Sequence, residues 1–212
     1  MAYQTLDVEP LAGAMGAVIH GVDLSGELSN QAFDEIHQAF LDHKAIFFHD
    51  QNLDPHQQIA FGRRFGPMGA YPFMEGLQEA PETFEILKTE DDKQNFGGAW
   101  HSDMSFTTIP PLGTMLYSLE MPEAGGDTLF ANTALAYDAL SDGMKDMLDG
   151  LIGIYSAALK SSGGRAKRFE VNKSMNAKNM DQVDMEAEHP IVRTHPETGK
   201  KALYLGKGHT VR

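Results

Sequence analysis

Thr114-Met115-Leu116-Tyr117-Ser118-Leu119-Glu120, then Pro122-Glu123-Ala124-Gly125-Gly126, then Asp127-Thr128-Leu129-Phe130-Ala131 is the stretch that decides the fold class. Two runs rich in Leu, Tyr, Thr and Phe flank a segment of Pro and Gly, which predicts a strand, a turn and a returning strand. Working outward, Ala45-Ile46-Phe47-Phe48, Phe84-Glu85-Ile86-Leu87 and Leu151-Ile152-Gly153-Ile154-Tyr155 read as further short strands. Ile191–Thr194 and Lys201–Leu205 flank His195-Pro196-Glu197-Thr198-Gly199 as another strand, turn and strand. Helices are fewer. Ser29 is a good N-cap for a helix carrying Phe33, Ile36, Phe40 and Leu41 to about His43, and Asp54-Pro55 starts a second helix that Gly66-Pro67 stops. Short helices are expected at Ala134–Leu140 and Met144–Leu148. Short strands joined by hairpins outnumber helices, so the expectation is a mainly β chain, a sandwich or barrel core with flanking helices.

The 212 residues read as one domain, 1–212, without repeats. Residues 160–188 are polar, include Ser161-Ser162-Gly163-Gly164, and show no clean period, which predicts a mobile lid or an insertion. With 30 Asp and Glu against 17 Lys and Arg the net charge is -13, which argues against a nucleic-acid partner. The charge is uneven: residues 1–159 hold 6 basic and 24 acidic side chains, and residues 160–212 hold 11 and 6. The basic end suits an anionic small molecule, and equally a solvated loop. No run approaches the roughly 18 apolar residues of a membrane span, and the first residues lack the pattern of an export signal, so a cytoplasmic location and no membrane partner are expected. No glycine-rich nucleotide loop joins a strand to a helix. Without cysteine there is no disulfide, zinc ribbon or thiolate nucleophile, and any metal must be held by imidazole and carboxylate.

Trp100-His101-Ser102-Asp103-Met104-Ser105-Phe106 is where such chemistry is expected. In an extended chain residues two apart share a side, so the His101 imidazole and the Asp103 carboxylate can converge on one cation. One His and one carboxylate with open positions are two-thirds of the facial triad of non-haem Fe(II) oxygenases. Standing alone, His-x-Asp also arises by chance. Downstream, Gly125-Gly126-Asp127-Thr128 offers a tight turn and, at Thr128, a hydroxyl able to meet a carboxylate; a plain hairpin turn explains the same residues. Trp100 is expected to pack beneath the His101 ring.

Taken with Gly21-Val22-Asp23-Leu24, Phe47-Phe48-His49-Asp50-Gln51, Arg64-Phe65-Gly66, Gly125-Gly126-Asp127-Thr128-Leu129 and His189–Gly199, the His101 motif gives the chain its resemblance to the taurine / 2,4-dichlorophenoxyacetate dioxygenase family. Order and spacing agree over essentially the whole chain. The resemblance implies a double-stranded β-helix (jelly roll, cupin-like) and oxygenases that use Fe(II), 2-oxoglutarate as cosubstrate, and O2 to hydroxylate a C–H bond of a small organic acid or related metabolite, releasing succinate and CO2. It implies His101 and Asp103 as metal ligands and Thr128 as a hydrogen-bond donor to a carboxylate of 2-oxoglutarate. Homo-oligomers are common among such proteins.

Two departures qualify what the resemblance implies. The family's distal His ligand and 2-oxoglutarate-binding Arg lie beyond the Lys201–Tyr204 strand, and no residue here matches them. The expectation is therefore a C-terminally truncated member lacking the closing strands, poorly soluble or oligomeric alone, with a non-catalytic jelly-roll protein that binds a ligand or partner chain as the alternative. Where taurine-cleaving members have a His, an Asn and a Phe, this chain has Tyr71, Gly97 and His209, which makes taurine a poor expectation. Tyr71, Met104 and His209 are the candidate substrate contacts, for a polar or anionic molecule. The other histidines, His189 and His195 included, are expected to be structural.

Overall fold

Ser29 begins the first long element by accepting the Ala32 amide on its side-chain oxygen at 3.1 Å, and the helix that follows, α1, runs Asn30–His43. Its buried positions Ala32, Phe33, Ile36 and Ala39 recur at helical spacing. It ends where Lys44 turns left-handed at φ 66° and gives its N–H to Phe40, while the Lys44 ammonium donates to the Leu41 and Asp42 carbonyls. These coordinates are a computed structural model that describes residues 3–92, 95–158, 174–179 and 184–212.

Under α1 lies a three-stranded sheet of β1 (Asp7–Pro10), β2 (Ala17–His20) and β3 (Ile46–Phe47), in that order, with β1 antiparallel and β3 parallel to β2. Helix α2 (Pro55–Arg63) starts with a complete capping box between Asp54 and Gln57, with Pro55 in its first turn. Leu6, Ile19, Leu24, Phe33, Ile36, Ala39 and Phe61 form the first core, with Phe65 and Met115 packed against it. Phe33 meets Phe65 edge-on at 4.9 Å.

After the short helices α3 (Thr133–Asp138) and α4 (Asp142–Leu148) comes β4 (Ile152–Ser156), which pairs antiparallel with β5 (Glu186–Pro190) from Ile152↔Pro190 to Ser156↔Glu186. Residues 209–212 run along the other side of β4, through Ser156 N–H to the His209 carbonyl (2.9 Å) and Val211 N–H to that of Ile154 (2.8 Å). Strands β6 (Val192–Thr194) and β7 (Lys201–Leu203) form the expected hairpin, and His195 Nδ1 accepts the Glu197 and Thr198 amides inside its turn at 3.2 and 3.3 Å. His195 is structural, as its motif suggested.

Several expectations change. Neither 114–120 nor 127–131 is a strand: among the described residues their backbones make no ladder bonds. The first run is held instead by side chains, and the second is exposed throughout. Phe84–Leu87 is also not a strand; it is a loop whose Phe84 stacks on Tyr71. Most of the segment 160–188 lies outside the described residues, but Glu186–Glu188 belong to β5 and Met74 bridges to Ala177. No helix among the described residues is long and apolar enough to cross a membrane.

Candidate active site

His101 and Asp103 meet although they are not on a strand. His101 is irregular and Asp103 opens a turn, yet His101 Nε2 lies 3.0 Å from Asp103 Oδ1. The turn brings this about. Met104 takes φ +48°, and its carbonyl accepts both the Thr107 N–H (3.0 Å) and the Thr107 hydroxyl (2.7 Å). A left-handed non-glycine residue costs roughly 1–2 kcal/mol, so those two bonds hold the chain in a conformation it would otherwise avoid. From β5, buried His189 reaches the Thr107 carbonyl with Nε2 at 3.0 Å and so fixes the far end of the turn.

The remaining atoms of the pair are occupied. His101 Nδ1 sits 2.6 Å from the Ala99 carbonyl; a carbonyl oxygen only accepts, so Nδ1 carries the proton and Nε2 is the nitrogen that faces Asp103. Asp103 Oδ2 accepts the Thr114 hydroxyl at 2.7 Å, which leaves Oδ1 toward His101. Oδ1 and Nε2 can share a proton or a cation between them; without either, two lone pairs face each other. The Asp103 carboxyl is held below the usual carboxylate range, first by the hydrogen bond from His101, against the opposing effect of burial, with Thr114 and the charges on His101 and His209 adding to it.

Close glycine approaches surround His101. A Cβ on Gly208 would stand 3.1 Å from the His101 Cβ, and Gly97, at φ +69°, would place one 3.4 Å from the ring. Trp100 does not pack beneath the ring: it is 56% exposed.

Of the three candidate substrate contacts, Met104 and His209 lie beside the pair, and Tyr71 joins them through Phe73 and Phe106. Phe73, Phe106 and Ala157 form a second core against which Tyr71 and Met104 pack. Tyr71 stacks on Phe84 at 5.3 Å and meets Phe73 and Phe96 edge-on. His209, only 9% exposed, lies 5.0 Å from the Phe106 ring and 6.5 Å from that of His101, with Nδ1 donating to the Ser156 carbonyl at 3.0 Å. Thr128 is not gathered with them; it stands on the exposed run after Gly125 and Gly126, whose φ angles are +82° and +76°. Among the described residues no group of three or more His, Asp or Glu converges for a metal ion. The donor types that are present, one imidazole nitrogen and one carboxylate oxygen with their other polar atoms engaged, fit Fe(II) as two of three facial ligands. Sequence reading did not find Thr114, the bond from His189 to the Thr107 carbonyl, or the Phe84 and Phe96 wall, because each acts across a turn or between elements and leaves no local spacing.

A mixed helix and sheet chain with a His-x-Asp pair beside an aromatic wall belongs to a recognisable class. The family model described as taurine catabolism dioxygenase TauD, TfdA family matches residues 7–212, and the chain belongs to that family. Over 96% of its length it is 35% identical to an alkylsulfatase of Acinetobacter baylyi, covering 63% of that protein. Over 95% it is 34% identical to an alpha-ketoglutarate-dependent sulfate ester dioxygenase of Pseudomonas putida, covering 66%. It thus spans just under two-thirds of these relatives. The crystal structure of a taurine dioxygenase from Burkholderia xenovorans superposes with a TM-score of 0.78 at 29% identity, covering 98% of this chain and 65% of that one.

Proposed function

We propose that the protein is an Fe(II)- and 2-oxoglutarate-dependent dioxygenase on a double-stranded β-helix scaffold, and that it hydroxylates a C–H bond of a small anionic substrate, an alkyl sulfate ester before a sulfonate. The observation that carries this reading is the pair itself: Nε2 and Oδ1 3.0 Å apart, with Nδ1 and Oδ2 held away by Ala99 and Thr114. Family membership and the names of the two relatives support the reaction class and the sulfate ester.

His101 Nε2 and Asp103 Oδ1 would hold Fe(II), while Thr128, exposed on the run after Gly125 and Gly126, is assigned to a 2-oxoglutarate carboxylate by the family resemblance alone. When bound, Fe(II) and 2-oxoglutarate supply the oxidising chemistry, in which C–H, 2-oxoglutarate and O2 become C–OH, succinate and CO2. Tyr71 and Met104, backed by Phe73 and Phe106, orient the apolar part of the substrate and exclude water. His209 faces the anionic head. Hydroxylation of the carbon that bears a sulfate ester leaves a C–OH beside a good leaving group, so the product collapses to an aldehyde and sulfate.

Anaerobic titration with Fe(II) and 2-oxoglutarate tests the site. A saturable visible charge-transfer absorption is expected, lost in both His101→Ala and Asp103→Ala. With O2 and an alkyl sulfate, succinate and sulfate should form in equal amounts. A folded protein with no such absorption, or one whose absorption survives both substitutions, overturns the reading.

A further inference from the structure

We propose that Thr114 is a positioning residue that fixes Asp103 as a one-oxygen ligand; the inference rests on the reading of His101 and Asp103 as metal ligands. An unrestrained carboxylate turns about its last torsion and can offer a cation one oxygen or both. Here the Thr114 hydroxyl takes Oδ2 at 2.7 Å while Oδ1 faces His101 Nε2 at 3.0 Å, so the two oxygens have separate tasks. An O–H to carboxylate bond of this length is charge-assisted and directional.

Thr114 can do this because its neighbours are pinned. Burial alternates along this run: Met115 and Tyr117 are half-buried, while Thr114 and Leu116 are exposed. On one side the Gly113 backbone lies on the Phe40 ring of α1, where an added Cβ would come within 3.4 Å. Met115 packs into the first core, and the Tyr117 hydroxyl donates to the Gln51 carbonyl (3.0 Å) and accepts the Leu53 amide (3.3 Å). Three anchors on α1 and the loop before α2 therefore present Thr114 on the other side, toward Asp103. The helical layer, 38 or more residues before His101 in sequence, sets the orientation of the Asp103 carboxylate through this one hydroxyl, itself eleven residues from Asp103.

Co(II) provides the test, because its visible spectrum reports coordination number and needs no turnover. Wild type, Thr114→Val, Thr114→Ser and His101→Ala are titrated with Co(II), and each is melted to show that it is folded. Valine keeps the branched shape and removes the donor; the expected result is affinity lower by about 10- to 100-fold with a weaker, shifted visible band, and near wild-type binding with serine. Thr114→Ala gives the same comparison if the valine variant does not fold. Unchanged affinity and spectrum in Thr114→Val, or serine as weak as valine, overturns this inference alone. Absent Co(II) binding by wild type, or binding that His101→Ala leaves intact, overturns the metal pair and the inference with it.

Discussion

His189 shows how a single buried ring can serve a site it does not touch. Its Nε2 holds the Thr107 carbonyl, and its ring lies 5.3 Å from Tyr155 and 5.5 Å from Tyr204, inside a cluster that Arg193 closes from above Tyr204 at 4.7 Å. His189→Phe keeps the ring and deletes the donor. The expected loss is about 1 kcal/mol, the net worth of a part-buried hydrogen bond, read from urea denaturation. Gly208 and Gly206 make a matched pair at the same scale. Alanine at 208 meets the His101 Cβ at 3.1 Å, whereas alanine at 206 comes no nearer than 3.5 Å to the His101 Cα, an ordinary contact. Gly208→Ala should therefore weaken Co(II) binding and lower the melting temperature, and Gly206→Ala should leave both near wild type; equal effects would mean that the approach to His101 is not what selects glycine at 208.

Between elements, the loop that ends at Asp92 is clasped to residues 174–179. Buried Asp92 accepts the Thr89 amide at 2.9 Å, the Thr89 hydroxyl at 3.1 Å and the Ser174 hydroxyl, while Glu75 N–H donates to the Asn176 carbonyl and Lys178 N–H to that of Phe73. The Ser174 bond is the foremost reason that the Asp92 carboxyl falls from 3.8 to about 2. A carboxyl depressed on folding stabilises the fold fully above its unfolded pKa, and that contribution is lost as pH falls through the folded value. Wild type should thus be more stable than Asp92→Ala at pH 5, and the gap in melting temperature should close between pH 4 and pH 2; a constant gap would assign the clasp to packing. At this scale the helices were legible and the strands only in part: β3, β4, β6 and β7 lie in the runs that predict them. Ser29, and Asp54 with Pro55, are side-chain signals that cap a helix wherever it lies, and α1 and α2 begin where they predict. Strands β1, β2 and β5 carry no such punctuation: β5 is Glu-Ala-Glu-His-Pro, whose buried Ala187 and His189 alternate with exposed glutamates only once β4 lies beside them. The apolar run 114–120 fails in the opposite sense, with strand composition but no ladder. The His101–Asp103 contact was legible because its two residues are two apart in sequence; the ties that Thr114 and His189 make to the turn were not, since tertiary contact alone brings them there.

Across the whole molecule the apolar surface is divided unequally. Two cores bury Phe33, Phe61, Phe73 and Phe106, while Ile109, Leu119 and Leu129 stand 87%, 81% and 71% exposed, with Leu116 and Phe130 also uncovered. Covering a Leu-sized side chain is worth about 1.5–3 kcal/mol, so a few of them suffice to drive association at micromolar concentration. Opposing this, the net charge of -13 makes like molecules repel over about 10 Å at 0.1 M salt, a distance that shrinks as salt rises. The two effects give a prediction with a sign. The chain on its own should be smallest at low salt and grow in apparent mass as sodium chloride is added, the reverse of an ion-paired assembly. Light scattering across a salt series measures this, and Leu119→Lys with Leu129→Lys should hold the mass constant through the same series, since neither side chain belongs to a core and each adds charge where apolar area was exposed. Growth that falls with salt, or that the double substitution leaves unchanged, would place the association elsewhere on the molecule.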